Sequence, residues 1–281
     1  FSFPLQRRTR VIDLIKVLIL GIVEGVTEFL PISSTGHLIV ATAALQPNFS
    51  PALAGTFEIF IQLGAVVAVI AYYRSDIWRQ VVSVRTDRQV QHFWATLFIA
   101  FVPAAVIGLA LHSVIKTYLF SPTTVAIALV VGGVAFLAIE RRLQNQTQST
   151  SALMQVSYRQ ALIIGVVQVL ALIPGTSRAA ASIFGGMLAG LNRETATRFS
   201  FYLAIPTLGL ATIVDLLLSL DGLQGSDLIY LALGTVVSGV VAWLAIGWLL
   251  RYVSRHTFVP FGYYRIAAGI VILILAAASL L

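Results

Sequence analysis

The sequence predicts an all-α polytopic membrane protein built of two inverted-topology repeats, each a re-entrant helix–loop–helix followed by three transmembrane helices. Three observations carry that prediction. Of 281 residues, 58% are hydrophobic and only 10% are charged, with a mean hydropathy of +0.93, whereas a soluble domain carries about a quarter charged residues. Several apolar runs exceed the roughly 18 residues that a spanning helix needs. The order of runs and breaks also recurs halfway along the chain. Alternating segments of about ten residues, the mark of a membrane β-barrel, are absent. There is no cysteine, which excludes disulfides and thiolate metal sites. The net charge of +7 does not argue for nucleic acid, because in a membrane protein the distribution of charge among loops decides its meaning. No cleavable signal peptide is expected, since the first apolar run carries two glutamates.

Taken in order, residues 11–30 and 33–46 flank a break at Pro31, and runs at 52–73, 90–111 and 123–140 follow. A polar stretch from Arg141 to Arg159, containing Gln144-Asn145-Gln146-Thr147-Gln148-Ser149-Thr150-Ser151, reads as a linker. After it come 160–173, a break at Pro174-Gly175, then 176–190, 198–219, 227–250 and 264–281. The chain is thus one integral membrane domain over 1–281, with repeat 1 at about 11–140, a linker at about 141–158 and repeat 2 at about 159–281. The halves match locally. Gly21-x-x-Glu24 aligns with Gly165-x-x-Gln168, Pro31-x-Ser33-Ser34 with Pro174-Gly175-Thr176-Ser177, and more weakly Phe57-Glu58-Ile59-Phe60 with Phe199-Ser200-Phe201-Tyr202, at offsets of 142 to 144 residues. A fixed offset with the same order of breaks argues for internal duplication.

Run 33–46 is short for a full crossing, so each broken pair reads as a hairpin that dips in and returns. Broken backbone at that depth is tolerated only when surrounded by protein or lining a cavity. Three crossings per half is an odd number, so the repeats are inverted and the two hairpins enter from opposite faces. Assigning loops alternately puts Arg74, Arg79, Arg85, Arg88, Arg141, Arg142, Arg159, Arg193, Arg198, Arg251, Arg255 and Arg265 on one face. The other receives Arg7, Arg8, Arg10, Lys16 and Lys116, with Asp221 and Asp227. The richer face is expected to be cytoplasmic, so the first hairpin opens to the outside.

The chemistry concentrates in the hairpins. Glu24 and Glu28 are four apart and share one helix face. Two carboxylates there are expensive unless they serve as a metal-binding or an acid–base pair. Mg²⁺ takes one or two carboxylates together with substrate phosphate oxygens. Ser33, Ser34 and Thr35 sit where a new helix starts, and at least one is expected to cap it. His37 follows Ser34 by three residues, so the two can face the same side as nucleophile and base, with activated water as the rival. In the second hairpin, Pro174-Gly175-Thr176-Ser177-Arg178 combines an arginine, hydroxyls and a helix start, a combination that cradles phosphate. An ion pair between Arg178 and a first-hairpin glutamate is equally expected, closed in the empty site and opening for an anion. Glu58 and Gln62, four apart, stand behind these groups. The candidate binding residues are therefore Arg178, Ser177, Thr176, Gly175, Ser33, Thr35 and Gln62, the candidate catalytic ones Ser34, His37, Glu28 and Arg178, and the candidate metal ligands Glu24 and Glu28.

These residues also carry a resemblance. Glu24-Gly25-x-Thr27-Glu28-Phe29-Leu30-Pro31-x-Ser33-Ser34-Thr35-Gly36-His37 resembles the signature of bacterial undecaprenyl-diphosphate phosphatases of the bacitracin-resistance family. Gln168 with Pro174-Gly175-Thr176-Ser177-Arg178, Phe57-Glu58 with Ile61-Gln62-Leu63-Gly64-Ala65, and Phe199-Ser200-Phe201 extend the likeness over nearly the whole chain. The resemblance implies an enzyme of the bacterial inner membrane that removes the terminal phosphate of a C55 isoprenoid diphosphate on the outer face, recycling the cell-wall lipid carrier. It also implies dependence on a divalent cation, Mg²⁺ or Ca²⁺. The partners are then the polyprenyl diphosphate and membrane lipids, with no nucleic acid, and a homodimer is compatible. The family continues Ser-Arg-Ser-Gly, whereas Ser177-Arg178 is followed here by Ala179-Ala180, which removes a hydroxyl and a flexible position. A second function class, a transporter or flippase of the isoprenoid phosphate, shares the architecture of inverted repeats and broken helices.

Overall fold

The computed structural model describes residues 3–143, 152–219, 223 and 225–281, with the side chains of 3–10, 55, 116, 215–219 and 226 left aside. The linker stretch 144–151 and Asp221 lie outside the described residues, as do the side chains of Arg7, Arg8, Arg10 and Lys116. Among the described residues the structure is helices and connecting turns, with no strand: α1 Phe3–Thr27, α2 Ser34–Leu45, α3 Pro51–Tyr72, α4 Arg74–Ser83, α5 Arg88–Val114, α6 Pro122–Leu143, α7 Tyr158–Gln168, α8 Arg178–Leu188, α9 Arg193–Ser219, α10 Gly225–Val253 and α11 Val259–Ala277. Helices α5, α6, α9, α10 and α11 are long and apolar enough to cross a membrane, and α3 with α4 makes a sixth candidate, bent by 70°. Helices α2 and α7 are shorter apolar helices beside the two breaks. The protein is a multi-pass helical membrane protein.

Most elements fall where the apolar runs place them, and α4 does not. Residues 74–83 carry Arg74, Asp76 and Arg79 and read as loop, yet they form a helix. Asp76 lies in its first turn and pairs with Arg79 one turn on. An acidic residue at a helix start and a pair at this spacing both favour helix where no apolar periodicity does.

Glycine lets the central helices approach closely. A Cβ on Gly25 would come within 2.6 Å of the Ser238 carbonyl, pinning α1 against α10. Gly64 brings α3 onto α10, where a Cβ would strike the backbone of Thr235 and Gly239. In lipid, where apolar contact between helices brings little gain over apolar contact with tails, such close packing is a main source of association. The outward faces stay apolar, as Val106, Leu109, Val131, Val236 and Ile274 are exposed. The interior is aromatic near the first break. Phe29 meets Phe201 edge-on at 5.2 Å, and Phe93 meets Tyr202 at 5.1 Å.

Both breaks end on a serine in the same rare backbone state. Ser33 precedes α2 at φ 73° and Ser177 precedes α8 at φ 72°. A non-glycine residue resists this region because its Cβ crowds the backbone. The two serines are 144 residues apart. Polar contacts also fall into two groups. Lys16 bonds the Gln46 carbonyl, Asn48 N–H bonds Asp13, and Ser50 bonds Asp227. Far along the chain, Glu140 of α6 receives both Arg193 of α9 and the Phe258 N–H before α11.

Overpacking the α3–α10 contact should be costly. Gly64→Ala should destabilise the protein by about 1–3 kcal/mol, read as a lowered unfolding temperature in detergent. Gly209→Ala, where no atom lies within 4 Å of the added Cβ, should not lower it.

Candidate active site

The two hairpins meet in a chain of hydrogen bonds. Glu28 directly follows α1, and its N–H still bonds the Glu24 carbonyl at 2.9 Å, so the two carboxylates stand one above the other. Glu28 Oε2 accepts the Ser34 hydroxyl at 2.7 Å, and Oε1 accepts Arg178 Nη2 at 2.9 Å. Arg178 Nη1 donates onward to the Ser200 carbonyl of α9 at 3.1 Å. Ser200 Oγ lies 2.6 Å from Ser182 Oγ, which donates back to the Arg178 carbonyl. The Arg178 guanidinium rests 5.4 Å from the centre of the Phe29 ring. Ser34, Glu28 and Arg178 are almost wholly enclosed, so each contact acts at low dielectric.

The expected ion pair between Arg178 and a first-hairpin glutamate is therefore formed, with Glu28. The expected pairing of Ser34 with His37 is not. His37 Nδ1 faces the Ser33 carbonyl at 2.7 Å, and Nε2 faces the Tyr264 hydroxyl at 2.6 Å. A carbonyl only accepts, so Nδ1 carries a proton, and in neutral imidazole Nε2 is the basic atom. That atom points to α11, away from Ser34, whose proton goes to Glu28. Spacing of three residues puts Ser34 and His37 on adjacent faces, and the Ser33 carbonyl at the start of α2 captures the ring.

Helix capping also differs between the hairpins. Ser177 Oγ accepts the Ala180 N–H and caps α8, whereas Ser33 makes no side-chain cap. Thus no hydroxyl of Ser33-Ser34-Thr35 caps α2; Ser34 is engaged by Glu28 instead. Thr35 and Thr176 are half-buried, and the Thr176 N–H bonds the Ile173 carbonyl. Gly175 holds φ 95°, and a Cβ there would press on the backbone of Val125. Gln62 sits half-buried on α3 outside the bond chain of Glu28 and Arg178. Ala179 and Ala180 are buried in the first turn of α8.

Glu24 is fully buried and both its carboxylate oxygens lack a hydrogen-bond partner among the described residues. An orphaned carboxylate one turn from a second one suits a hard divalent cation that takes the rest of its shell from water and phosphate. Among the described residues no third acidic or histidine ligand closes a protein-only cage. Gln168, the counterpart of Glu24 in the second half, is equally buried, and its amide is also unpartnered.

One residue expected on a loop belongs to the centre. Arg265 is fully buried in α11. Nη1 donates to the Pro31 carbonyl at 3.2 Å, and Nη2 to the carbonyls of Ala128 and Gly175 at 3.2 and 3.1 Å. Counting arginines as loop residues hid Arg265; its place at the start of the run 264–281 was the available signal. Tyr264 and Ser182 were likewise not singled out, and Ser200 appeared only within the Phe199-Ser200-Phe201 match, without a role.

Fold and site define an integral membrane protein with a buried Arg178–Glu28 ion pair where its two helix breaks meet. The family model described as bacitracin resistance protein BacA matches residues 17–271, and the chain belongs to this family. It is 47% identical over 267 residues to the undecaprenyl-diphosphatase of Acidovorax ebreus, covering 95% of this chain and 96% of that protein. The undecaprenyl-diphosphatase of Deinococcus radiodurans is 46% identical over 273 residues, with 96% and 97% covered. That of a Polaromonas species is 48% identical over 263 residues, with 92% and 94% covered.

Breaking the central pair should leave a buried charge stranded. Arg178→Met should destabilise the folded protein by about 3–5 kcal/mol, and adding Glu28→Gln should restore part of that loss. Denaturant unfolding of the two variants in detergent measures both.

Proposed function

We propose that the chain hydrolyses undecaprenyl diphosphate to the monophosphate and inorganic phosphate. The observation that carries this reading is the Ser34–Glu28–Arg178 chain: a hydroxyl bonded to a carboxylate, beside a guanidinium, in a buried site. The named relatives, nearly half identical over almost the whole chain, act as undecaprenyl-diphosphatases by their names.

In this reading the incoming diphosphate competes with Glu28 for Arg178. As Arg178 turns to the phosphate oxygens, Glu28 is free to take the Ser34 proton along the existing 2.7 Å contact. Ser34 Oγ attacks the terminal phosphorus, and the bond from that phosphorus to the bridging oxygen breaks. The lipid monophosphate leaves with the bridging oxygen. Water then attacks the phosphoserine, inorganic phosphate departs, and the proton returns to Ser34. Phosphoryl transfer demands positioning and charge neutralisation above all, and these groups supply both. A divalent cation, Mg²⁺ or Ca²⁺, would be held by Glu24 and Glu28 and would neutralise charge on the diphosphate. Thr35, Thr176 and Ser177 line the two turns as further phosphate contacts. His37 keeps the first turn in shape through Ser33 and Tyr264.

The transporter reading would use Arg178 to hold phosphate but has no need of a hydroxyl bonded to a carboxylate, and the relatives' names favour the phosphatase. We further propose that the halves are inverted repeats, a reading supported by the shared backbone of Ser33 and Ser177, which shifts by one residue the register that set Ser33 against Thr176. The arginine-rich face would then be cytoplasmic in the bacterial inner membrane, with the first hairpin open to the outer face.

Purified protein should release phosphate from a prenyl diphosphate, and EDTA should abolish that release; full activity in EDTA would remove the metal from the mechanism. Ser34→Ala should lose at least about 1000-fold in kcat while lipid binding persists, and Ser34→Ala with Glu28→Gln should lose little more than either alone. His37→Ala should lose far less; equal loss would make His37 the base. Because the chain has no cysteine, topology is directly testable. An impermeant thiol reagent should label Asn48→Cys, and not Arg255→Cys, in spheroplasts.

A further inference from the structure

Arg265 serves neither the nucleophile nor the ion pair just described, and its environment is unusual. It is fully buried. Its donors reach three backbone carbonyls, those of Pro31 in the first turn, Gly175 in the second and Ala128 on α6. Its guanidinium lies 5.3 Å from the centre of the Phe136 ring. The other enclosed arginines have carboxylates: Arg178 has Glu28, and Arg193 has Glu140. Arg265 has no such partner among the described residues. Carbonyl dipoles stabilise a cation without cancelling its charge, so the groups that hold Arg265 leave its positive charge uncompensated.

Its pocket is shaped for a flat fork. A Cβ on Gly132 would overlap the Arg265 guanidinium, with 2.9 Å to Cζ, so α6 leaves a gap at the one place where the fork lies. A planar guanidinium spreads donors toward several acceptors at fixed angles, and an ammonium does not. The preceding residue, Tyr264, holds His37. α11 thus grips the first hairpin at two points and the second at one.

We propose that Arg265 is a positioning residue for the reaction. It locks the two hairpin turns together, so that Ser34 of one and Arg178 of the other face the same phosphate, and its unneutralised charge adds to the attraction for the diphosphate headgroup. This rests on the reading that Ser34 and Arg178 form the reaction centre.

The two parts separate by variant. Arg265→Met removes both charge and fork, Arg265→Lys keeps the charge without the fork, and Gly132→Ala keeps the arginine but fills the place of its guanidinium. Each is purified in detergent and assayed for kcat and KM on a prenyl diphosphate, and for competitive inhibition by inorganic pyrophosphate. Arg265→Met should lower kcat on the order of 100-fold, as misplacement of reacting groups by about 1 Å does. Its inhibition constant for pyrophosphate should rise about 10-fold, the effect of removing one unit charge from a low-dielectric site. Arg265→Lys should keep pyrophosphate binding within about 3-fold of wild type while kcat stays low. Gly132→Ala should likewise lower kcat more than it weakens pyrophosphate. A folded Arg265→Met with kcat and inhibition constant within 2-fold of wild type would overturn the proposal. Equal pyrophosphate affinity in the Lys and Met variants would overturn its charge component. If Arg265→Met does not fold, unchanged kcat in both Gly132→Ala and Arg265→Lys overturns the lock. Arg178→Ala in the same assays separates the two levels: undiminished pyrophosphate binding there would refute the reaction centre itself, whatever Arg265 does.

Discussion

A helix that stops inside an apolar slab strands carbonyls and amides where water cannot replace the lost bonds, and the centre depends on how those groups are satisfied. Part of the answer is local. Ile32 N–H reaches back to the Leu30 carbonyl at 2.7 Å, and Thr176 N–H to that of Ile173 at 3.1 Å. The rest comes from side chains on other helices. Arg265 takes the carbonyls of both turns, and His37 takes that of Ser33. The same bonds that satisfy the backbone draw the two hairpins together.

Burying Arg178 and Glu28 is expensive for each ion alone, and their attraction offsets this only with good geometry and further bonds. Both are present: Ser34 takes the second carboxylate oxygen and the Ser200 carbonyl takes the second guanidinium nitrogen. One donor is left over, since Arg178 Nε has no partner among the described residues. Backbone strain sits at the same spot. Ser33 and Ser177 occupy a region that glycine would enter freely. Ser177 offsets its strain by capping α8; Ser33 has no such return, and its carbonyl instead anchors His37.

The spans were legible because long apolar runs leave few alternatives, and the breaks because proline and glycine interrupt them at Pro31 and Pro174-Gly175. α4 was not legible, since a short charged helix has no apolar period and owes its form to Asp76 and Arg79. At the site, Glu24, Glu28, Ser34 and Arg178 stood out as polar residues misplaced in apolar runs. Partner choice was hidden. Spacing along one helix suggested that Ser34 meets His37, whereas the turn geometry at Ser33 diverts the ring and Glu28 takes the hydroxyl. Arg265 escaped notice because an arginine near the end of a span is ordinarily a loop anchor, and only the packing of α11 against α6 and both turns puts it inside.

The closed Arg178–Glu28 pair has a consequence for what the site ignores. It stands in a membrane whose commonest phosphates are diesters with a single negative charge on phosphorus. A resident carboxylate already supplies one negative charge at 2.9 Å, in fixed geometry and without the entropy loss of capturing a ligand. A singly charged phosphodiester offers Arg178 nothing better. A terminal phosphate of a diphosphate carries more charge and more free oxygens, and on the proposed mechanism it is the group that displaces Glu28 from Arg178. In the proposed reading the internal ion pair would work as a threshold, keeping the abundant bulk lipids out of the centre by competition rather than by shape.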